Sequence, residues 1–187
     1  DTPIVGGDLT GGERLSLAIT VLGSAPRPLA RSGAQPGDTI YVTGALGGPG
    51  AALAAWERGE TPSATHRERF ARPEARLEAG IWFARHGATA AIDISDGLAG
   101  DAAHLAAASG VRCLLRLDAL PRVAGVSARD ALVSGEEYEL LVTAPALDTT
   151  RFAAENVGLA LHAIGVVEQA GSPGAGAAGE VIAEEGG

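Results

Sequence analysis

The stretch Ala91-Ile92-Asp93-Ile94-Ser95-Asp96-Gly97-Leu98 sets two carboxylates and a hydroxyl close together where a strand should give way to a helix. Ala90 to Ile92 with Ile94 read as a short apolar strand, and the alanine-rich run from Leu98 to Ser109 reads as a helix. Oxygen donors crowded into such a loop suit a hard cation such as Mg²⁺, which takes carboxylates, waters and phosphate oxygens. The helix N-terminus beneath them offers free N–H groups and the positive end of the helix dipole, both favourable to phosphate. The same residues have a plainer use, with Ser95 or Asp96 capping the helix and Asp93 serving as a turn residue. These eight residues alone leave both readings open.

Other groups that could do chemistry are spread along the chain. Gly6-Gly7-Asp8 permits a tight turn or a close backbone approach to a ligand. It could equally close a hairpin, because Leu15, Leu17, Ile19 and Val21 alternate with Ser16, Ala18 and Thr20 as in a half-buried strand, over about residues 14–22. Arg31 stands alone in a connector rich in proline and glycine, residues 24–37, either as a solvated charge or as a forked phosphate ligand. Gly44 to Gly50 follow a short strand, Thr39 to Thr43, and precede a helix from about Ala51 to Arg58. That loop fits neither G-x-x-x-x-G-K-[ST] nor G-x-G-x-x-G and holds no lysine, so it reads as a tight connection. Asp101 and His104 share a helix face, as a metal or acid–base pair or as a solvated polar stripe. Ser134-Gly135-Glu136-Glu137-Tyr138-Glu139 opens a strand with acids that either orient a cationic substrate or face solvent. Cys113 lies in an apolar run and reads as a core thiol, and Trp82 and Phe83 read as packing residues.

The elements that must position these groups follow from the hydrophobic pattern. Residues 60–87 form a helical, amphipathic region that Arg72-Pro73 divides, with Pro73 expected at the first position of the second helix. Arg112 to Leu117, the run ending at Thr143, and Leu159 to Val167 read as strands. Ala128 to Val133 and Ala146 to Asn156 read as helices. The order indicates an α/β domain, a mixed sheet with flanking helices. Residues 170–187 are rich in Gly, Ala, Ser and Glu and are expected to be a flexible tail. The chain has 187 residues, a formal net charge of −9 and a pI near 4.8, which excludes a general nucleic-acid or anionic-membrane binder. No apolar run is long enough to span a bilayer, and a single cysteine fits a reducing compartment. The absence of methionine and the abrupt start at Asp1-Thr2-Pro3 suggest a piece of a longer protein.

Four segments taken together, Val5-Gly6-Gly7-Asp8, Arg31-Ser32-Gly33-Ala34-Gln35-Pro36-Gly37-Asp38, Ile92-Asp93-Ile94-Ser95-Asp96-Gly97-Leu98 and Gly135-Glu136-Glu137-Tyr138-Glu139-Leu140, resemble the thiamine-monophosphate kinase family. That family belongs to the superfamily that includes aminoimidazole-ribonucleotide synthetase. The resemblance runs from about residue 3 to 168. It implies transfer of the ATP γ-phosphoryl group to the phosphate of thiamine monophosphate, with no covalent nucleophile on the protein. Carried over by position, Asp8, Asp93 and Asp96 would bind Mg²⁺; Gly7, Asp8, Arg31 and Ser95 would contact ATP; Glu136 would contact the thiamine substrate. The resemblance further implies a cytoplasmic homodimer with no nucleic-acid or membrane partner. It divides the chain into residues 1–25, the end of an N-terminal ATP-binding and dimerisation domain with its last strand; 26–169, a C-terminal α/β domain; and 170–187, the tail. Glu137 stands where the family usually has Asp, and neither the other N-terminal aspartates nor the C-terminal aromatic is present. The alternatives are another enzyme of the superfamily, such as a selenophosphate synthetase or a hydrogenase-maturation enzyme, or a non-catalytic nucleotide-binding module. The hydrogenase-maturation reading is weakened by the lack of a C-terminal cysteine.

Overall fold

A computed structural model describes residues 3–171 and 177–185. Six strands form one sheet: β1 (Thr39–Thr43), β2 (Ala90–Asp93), β3 (Val111–Arg116), β4 (Leu140–Ala144), β5 (Leu161–Gln169) and β6 (Val181–Glu184). Their spatial order is β2-β4-β1-β5-β3-β6, antiparallel throughout except for the parallel β3–β6 pair. Six helices accompany them: α1 (Gly48–Glu57), α2 (Ala64–Ala71), α3 (Leu77–Arg85), α4 (Leu98–Ser109), α5 (Ala128–Val133) and α6 (Thr149–Glu155). Three helix starts carry the expected side-chain caps: the hydroxyls of Ser63 and Ser127 accept from the N–H of His66 and Asp130, and Asp148 accepts from Arg151 N–H.

The period-2 alternation of the strands builds a core on each face of the sheet. Ile40 and Val42 of β1 turn to Leu98, Ala102 and Leu105 of α4 and Ala131 of α5. Tyr41 between them turns the other way, with Val142 and Ala144, to Ala79, Trp82 and Phe83 of α3 and Phe152 of α6. Phe83 stacks on Phe152 with ring centroids 5.2 Å apart, and Trp82 meets Phe152 edge-on at 5.1 Å. Trp82 Nε1–H donates to Glu155 at 2.8 Å, so the indole is satisfied while serving as core. The antiparallel β2–β4 register sets Asp93 opposite Leu140. The loop leaving β2 and the loop entering β4 therefore meet at one end of the sheet.

Three expectations are corrected. Residues 14–22 do not form a strand: Leu15, Leu17, Ile19 and Val21 are exposed, Leu15 by 90%. Their alternation is real, but a strand needs a neighbour for its N–H and C=O groups, and none of the described residues provides one. The tail is not wholly irregular, since Val181–Glu184 form β6 and pair with Cys113 to Arg116. The physical reason is packing of Val181 on the core and a hydrogen bond from Cys113 N–H to Glu180 O. Residues 172–176 and 186–187 of that tail lie outside the described residues. Pro73 separates α2 from α3 but does not start α3, which begins at Leu77. The intervening turn carries Arg76 toward an internal carboxylate.

Cys113 is 1% exposed in the core of β3, and burial pushes its thiol up to about 11. At pH 8 only about one molecule in a thousand then carries the thiolate, the reactive form. Iodoacetamide at pH 8 should leave Cys113 unlabelled in the native protein and label it fully in denaturant, read by intact mass. Rapid native labelling would contradict its place in the core.

Candidate active site

The two acidic segments are joined through their backbones. Beyond the β2–β4 register, Ile94 N–H donates to Glu139 O, Tyr138 N–H to Ile94 O, and Glu136 N–H to Ser95 O, each at 2.8 Å. A side chain at Gly135 would place Cβ 2.8 Å from the Ser95 carbonyl oxygen, so the close approach of the two loops requires glycine there. Glu136 and Tyr138 take left-handed backbone, φ 60° and 52°. Alternate residues therefore part company: Glu137 and Glu139 are buried, while Glu136 is exposed and Tyr138 half-buried. The Tyr138 hydroxyl donates to Glu136 Oε2 at 2.9 Å. That bond, with the charges of Asp93 and Asp96, keeps the phenol proton bound above its usual range.

Neither Ser95 nor Asp96 caps α4. The cap position is Gly97, with no side-chain hydrogen bond. The loop is held instead by Asp101, 2% exposed, whose Oδ2 accepts from Ser95 N–H at 2.9 Å and Asp96 N–H at 3.0 Å. Burial holds the Asp101 carboxyl above the usual carboxylate range; the two N–H groups act the other way, and the charges of Asp96 and Asp93 add to the rise. Asp101 is thus engaged with the loop rather than paired with His104, which stands exposed at the rim. Because Asp101 meets the backbone donors, the Ser95 hydroxyl and the Asp96 carboxylate are left for other partners.

The connector before β1 supplies the opposite wall. Ala91 N–H of β2 donates to Ala30 O at 2.9 Å, and the Ser109 hydroxyl at the end of α4 accepts from Gly33 and Ala34 N–H and donates to Arg31 O at 3.1 Å. These bonds fix the segment that carries Arg31. The result is an open cavity of about 1060 Å³. Arg31, Asp93, Ser95, Asp96 and Tyr138 give its lining polar groups, and Leu29, Leu77, Ile81 and Leu140 give it apolar ones.

The structure thus sets Arg31, Asp93, Ser95 and Asp96 in the lining of one cavity, with Glu136 bonded to Tyr138 of the same lining. It does not bring Gly7 or Asp8 there. Both lie in the exposed segment before residue 29 and do not line the cavity, for the same want of a packing neighbour that leaves residues 14–22 unpaired. Among the described residues no three of His, Cys, Asp and Glu are close enough together to hold a metal ion. Among the described residues neither the Asp93 nor the Asp96 carboxylate is taken up by an ion pair. Two exposed carboxylates in the lining of one cavity fit part of the shell of a hard divalent cation, which completes its coordination with water and phosphate oxygens.

Sequence reasoning missed the buried side of the second segment, whose acids were read as orienting a cationic substrate or facing solvent. Glu139, 1% exposed, accepts from Thr43 Oγ1 at 2.6 Å and is gripped by Arg76 through Nε at 2.9 Å and Nη2 at 2.7 Å, with Arg69 Nη2 at 3.3 Å. Glu137 accepts from the Ser134 hydroxyl at 2.6 Å, from Gly47 N–H at the start of α1, and from Arg69. Burial raises the Glu137 carboxyl above its ordinary range, against the pull of those donors. A Cβ at Gly44 would run into the Glu139 carboxylate, which explains a glycine at the end of β1. Glu137 is therefore a joint between α1, α2 and the loop, a role that a longer acid can fill as well as a shorter one.

Residues 35–177 match the family model described as AIR synthase related protein, C-terminal domain. The chain is 39% identical over 175 residues to a thiamine-monophosphate kinase of Methanopyrus kandleri, covering 87% of this chain and 57% of that protein. A crystal structure of thiamine-monophosphate kinase from Stenotrophomonas maltophilia superposes with a TM-score of 0.72 at 33% identity, over 85% of this chain and 54% of that one. A structure described as AaThiL complexed with AMPPCP and TMP superposes with a TM-score of 0.67 at 31% identity, over 84% of this chain and 50% of that one. The chain spans about half the length of the relatives it matches.

Proposed function

The chain belongs to the AIR synthase related proteins through their C-terminal domain, and on that premise we propose that it forms part of an enzyme that transfers the γ-phosphoryl group of ATP to thiamine monophosphate, yielding thiamine diphosphate. The observation that carries this reading is the pair Asp93 and Asp96, spent neither on capping α4 nor on an ion pair among the described residues, in the lining of a cavity that Arg31 also lines. Similarity to thiamine-monophosphate kinases over most of the chain supports it.

The difficulty in such a reaction is bringing two phosphate anions together, so catalysis is chiefly charge neutralisation and in-line positioning. Asp93 and Asp96 would hold Mg²⁺, which supplies the neutralising charge when bound. Arg31 and Ser95 would contact ATP phosphates as a forked cation and a hydroxyl donor. Glu136 would receive the cationic thiamine moiety. Asp101 holds the loop through the N–H groups of Ser95 and Asp96, and so fixes the backbone from which the Ser95 hydroxyl and the Asp96 carboxylate project. The acceptor phosphate oxygen is itself the nucleophile, and no side chain need form a covalent intermediate. In this reading residues 1–25 belong to a neighbouring ATP-binding and dimerisation unit, residues 26–169 are the C-terminal α/β domain, and Gly7 and Asp8 join the site in a cytoplasmic homodimer.

The test is conversion in the full-length protein. With Mg²⁺ and ATP, addition of thiamine monophosphate should start formation of ADP and thiamine diphosphate in equal amounts, separated by chromatography. ADP release indifferent to thiamine monophosphate would point to another enzyme of the superfamily. Mg-ATP binding without any turnover would favour a non-catalytic module.

A further inference from the structure

Tyr138 holds a backbone conformation, φ 52°, that a bulky side chain resists because its Cβ crowds the neighbouring carbonyl. Such residues persist where their surroundings over-determine them. Here the surroundings are specific: Tyr138 N–H is held by Ile94 O, and Glu137 and Glu139 on either side are anchored inward by Arg69 and Arg76. Glycine at 138 would satisfy the same frame without strain, so the aromatic ring serves what it faces. It faces the cavity, beside Asp93, Asp96 and the apolar Leu140. Its hydroxyl is spent on Glu136 Oε2 at 2.9 Å, which fixes an otherwise exposed carboxylate. A π face bordered by carboxylates attracts a flat cation more than any neutral ring.

Resting on the reading of the acceptor given above, we propose that Tyr138 is a second acceptor-binding residue. Its ring face takes the cationic heteroaromatic part of the acceptor, and its hydroxyl aims Glu136 at the same group. The role is distinct from that of Asp93 and Asp96, which concerns the phosphates. It also accounts for the strained turn, whose effect is to set Glu136 within hydrogen-bond reach of Tyr138, which lines the cavity.

Binding of thiamine monophosphate to the full-length protein, measured by calorimetry without ATP, tests this in Tyr138→Phe and Tyr138→Gly. Tyr138→Phe keeps the ring and frees Glu136, and should weaken binding about fivefold, as for loss of one hydrogen bond. Tyr138→Gly removes ring and strain together, and should weaken binding about tenfold or more while Tm stays level or rises. Affinity for Mg-ATP should not change in either. Wild-type affinity for thiamine monophosphate in both variants would overturn the proposal, and so would an equal loss of ATP and acceptor binding. A wild-type protein that binds thiamine monophosphate without phosphorylating it would sink the kinase reading and leave this one standing. A wild-type enzyme that turns over, with variants of unchanged KM for the acceptor, would sink only this one.

Discussion

Asp96→Asn in the full-length protein is expected to lower kcat for thiamine-monophosphate-dependent ADP formation by about 100-fold, the scale of a few kcal/mol lost from charge stabilisation in the transition state. The substitution keeps the size of the side chain and one oxygen, and removes the charge that a divalent ion needs. It should leave the loop intact, because Asp101 holds Asp96 through its main-chain N–H rather than its carboxylate. Tm should therefore stay within about 2 °C of wild type, as for exposed substitutions away from packing. Higher Mg²⁺ should recover part of the activity by refilling a weakened site. Unchanged kcat at saturating Mg²⁺ would remove Asp96 from the metal shell and with it the main support for phosphoryl transfer. A large fall in Tm would show that the side chain has a structural duty that the hydrogen bonds do not reveal.

Local patterns in this chain were legible, and pairings across it were not. Helix α4 spans Leu98–Ser109 and α5 spans Ala128–Val133, as their composition and the Ser127 cap indicate. The strand over residues 14–22 was misread because alternation reports half-burial only when a partner strand exists, and exposed Leu17 and Ile19 have none among the described residues. Strand β6 was overlooked because four residues between glycine-rich stretches carry almost no periodicity of their own. The burial of Glu139 was not legible because its partner Arg76 lies 63 positions away, beyond any local window. Asp101 could have been recognised: an acid in the first turn of α4, just past a glycine, is well placed to serve loop N–H groups. Asp93, Ser95 and Asp96 stood out by type and spacing and Arg31 through the family resemblance, and the fold sets those four in the lining of one cavity. Asp8 was assigned a role through the same resemblance, and it stands apart because it lies in an exposed stretch that does not line the cavity.

Glu139→Ala should be the most damaging single substitution for stability. It leaves Arg76 half-buried with only the exposed Glu74 as partner, strips Thr43 of its acceptor, and opens space beneath Gly44. Breaking a buried ion pair by removing one partner costs about 3–5 kcal/mol, so a domain of this size should lose on the order of 10 °C in Tm. The exposed pair Arg58–Glu60 is the contrast: its N···O distance is 2.8 Å, close to the 2.7 Å of Arg76–Glu139, yet both its side chains are 58% exposed. Solvent screens such a pair, and Glu60→Gln should leave Tm where it is. Thermal unfolding of the two variants side by side decides whether burial or distance governs the contribution. A loss below about 2 °C for Glu139→Ala would mean that the backbone bonds among Ile94, Ser95, Glu136 and Tyr138 hold the turn unaided. The expected loss would instead make the buried carboxylate the support on which the left-handed residues at 136 and 138 depend. In that case Glu139→Ala should also weaken thiamine monophosphate binding, whereas Asp96→Asn, acting on the metal alone, should not disturb the turn.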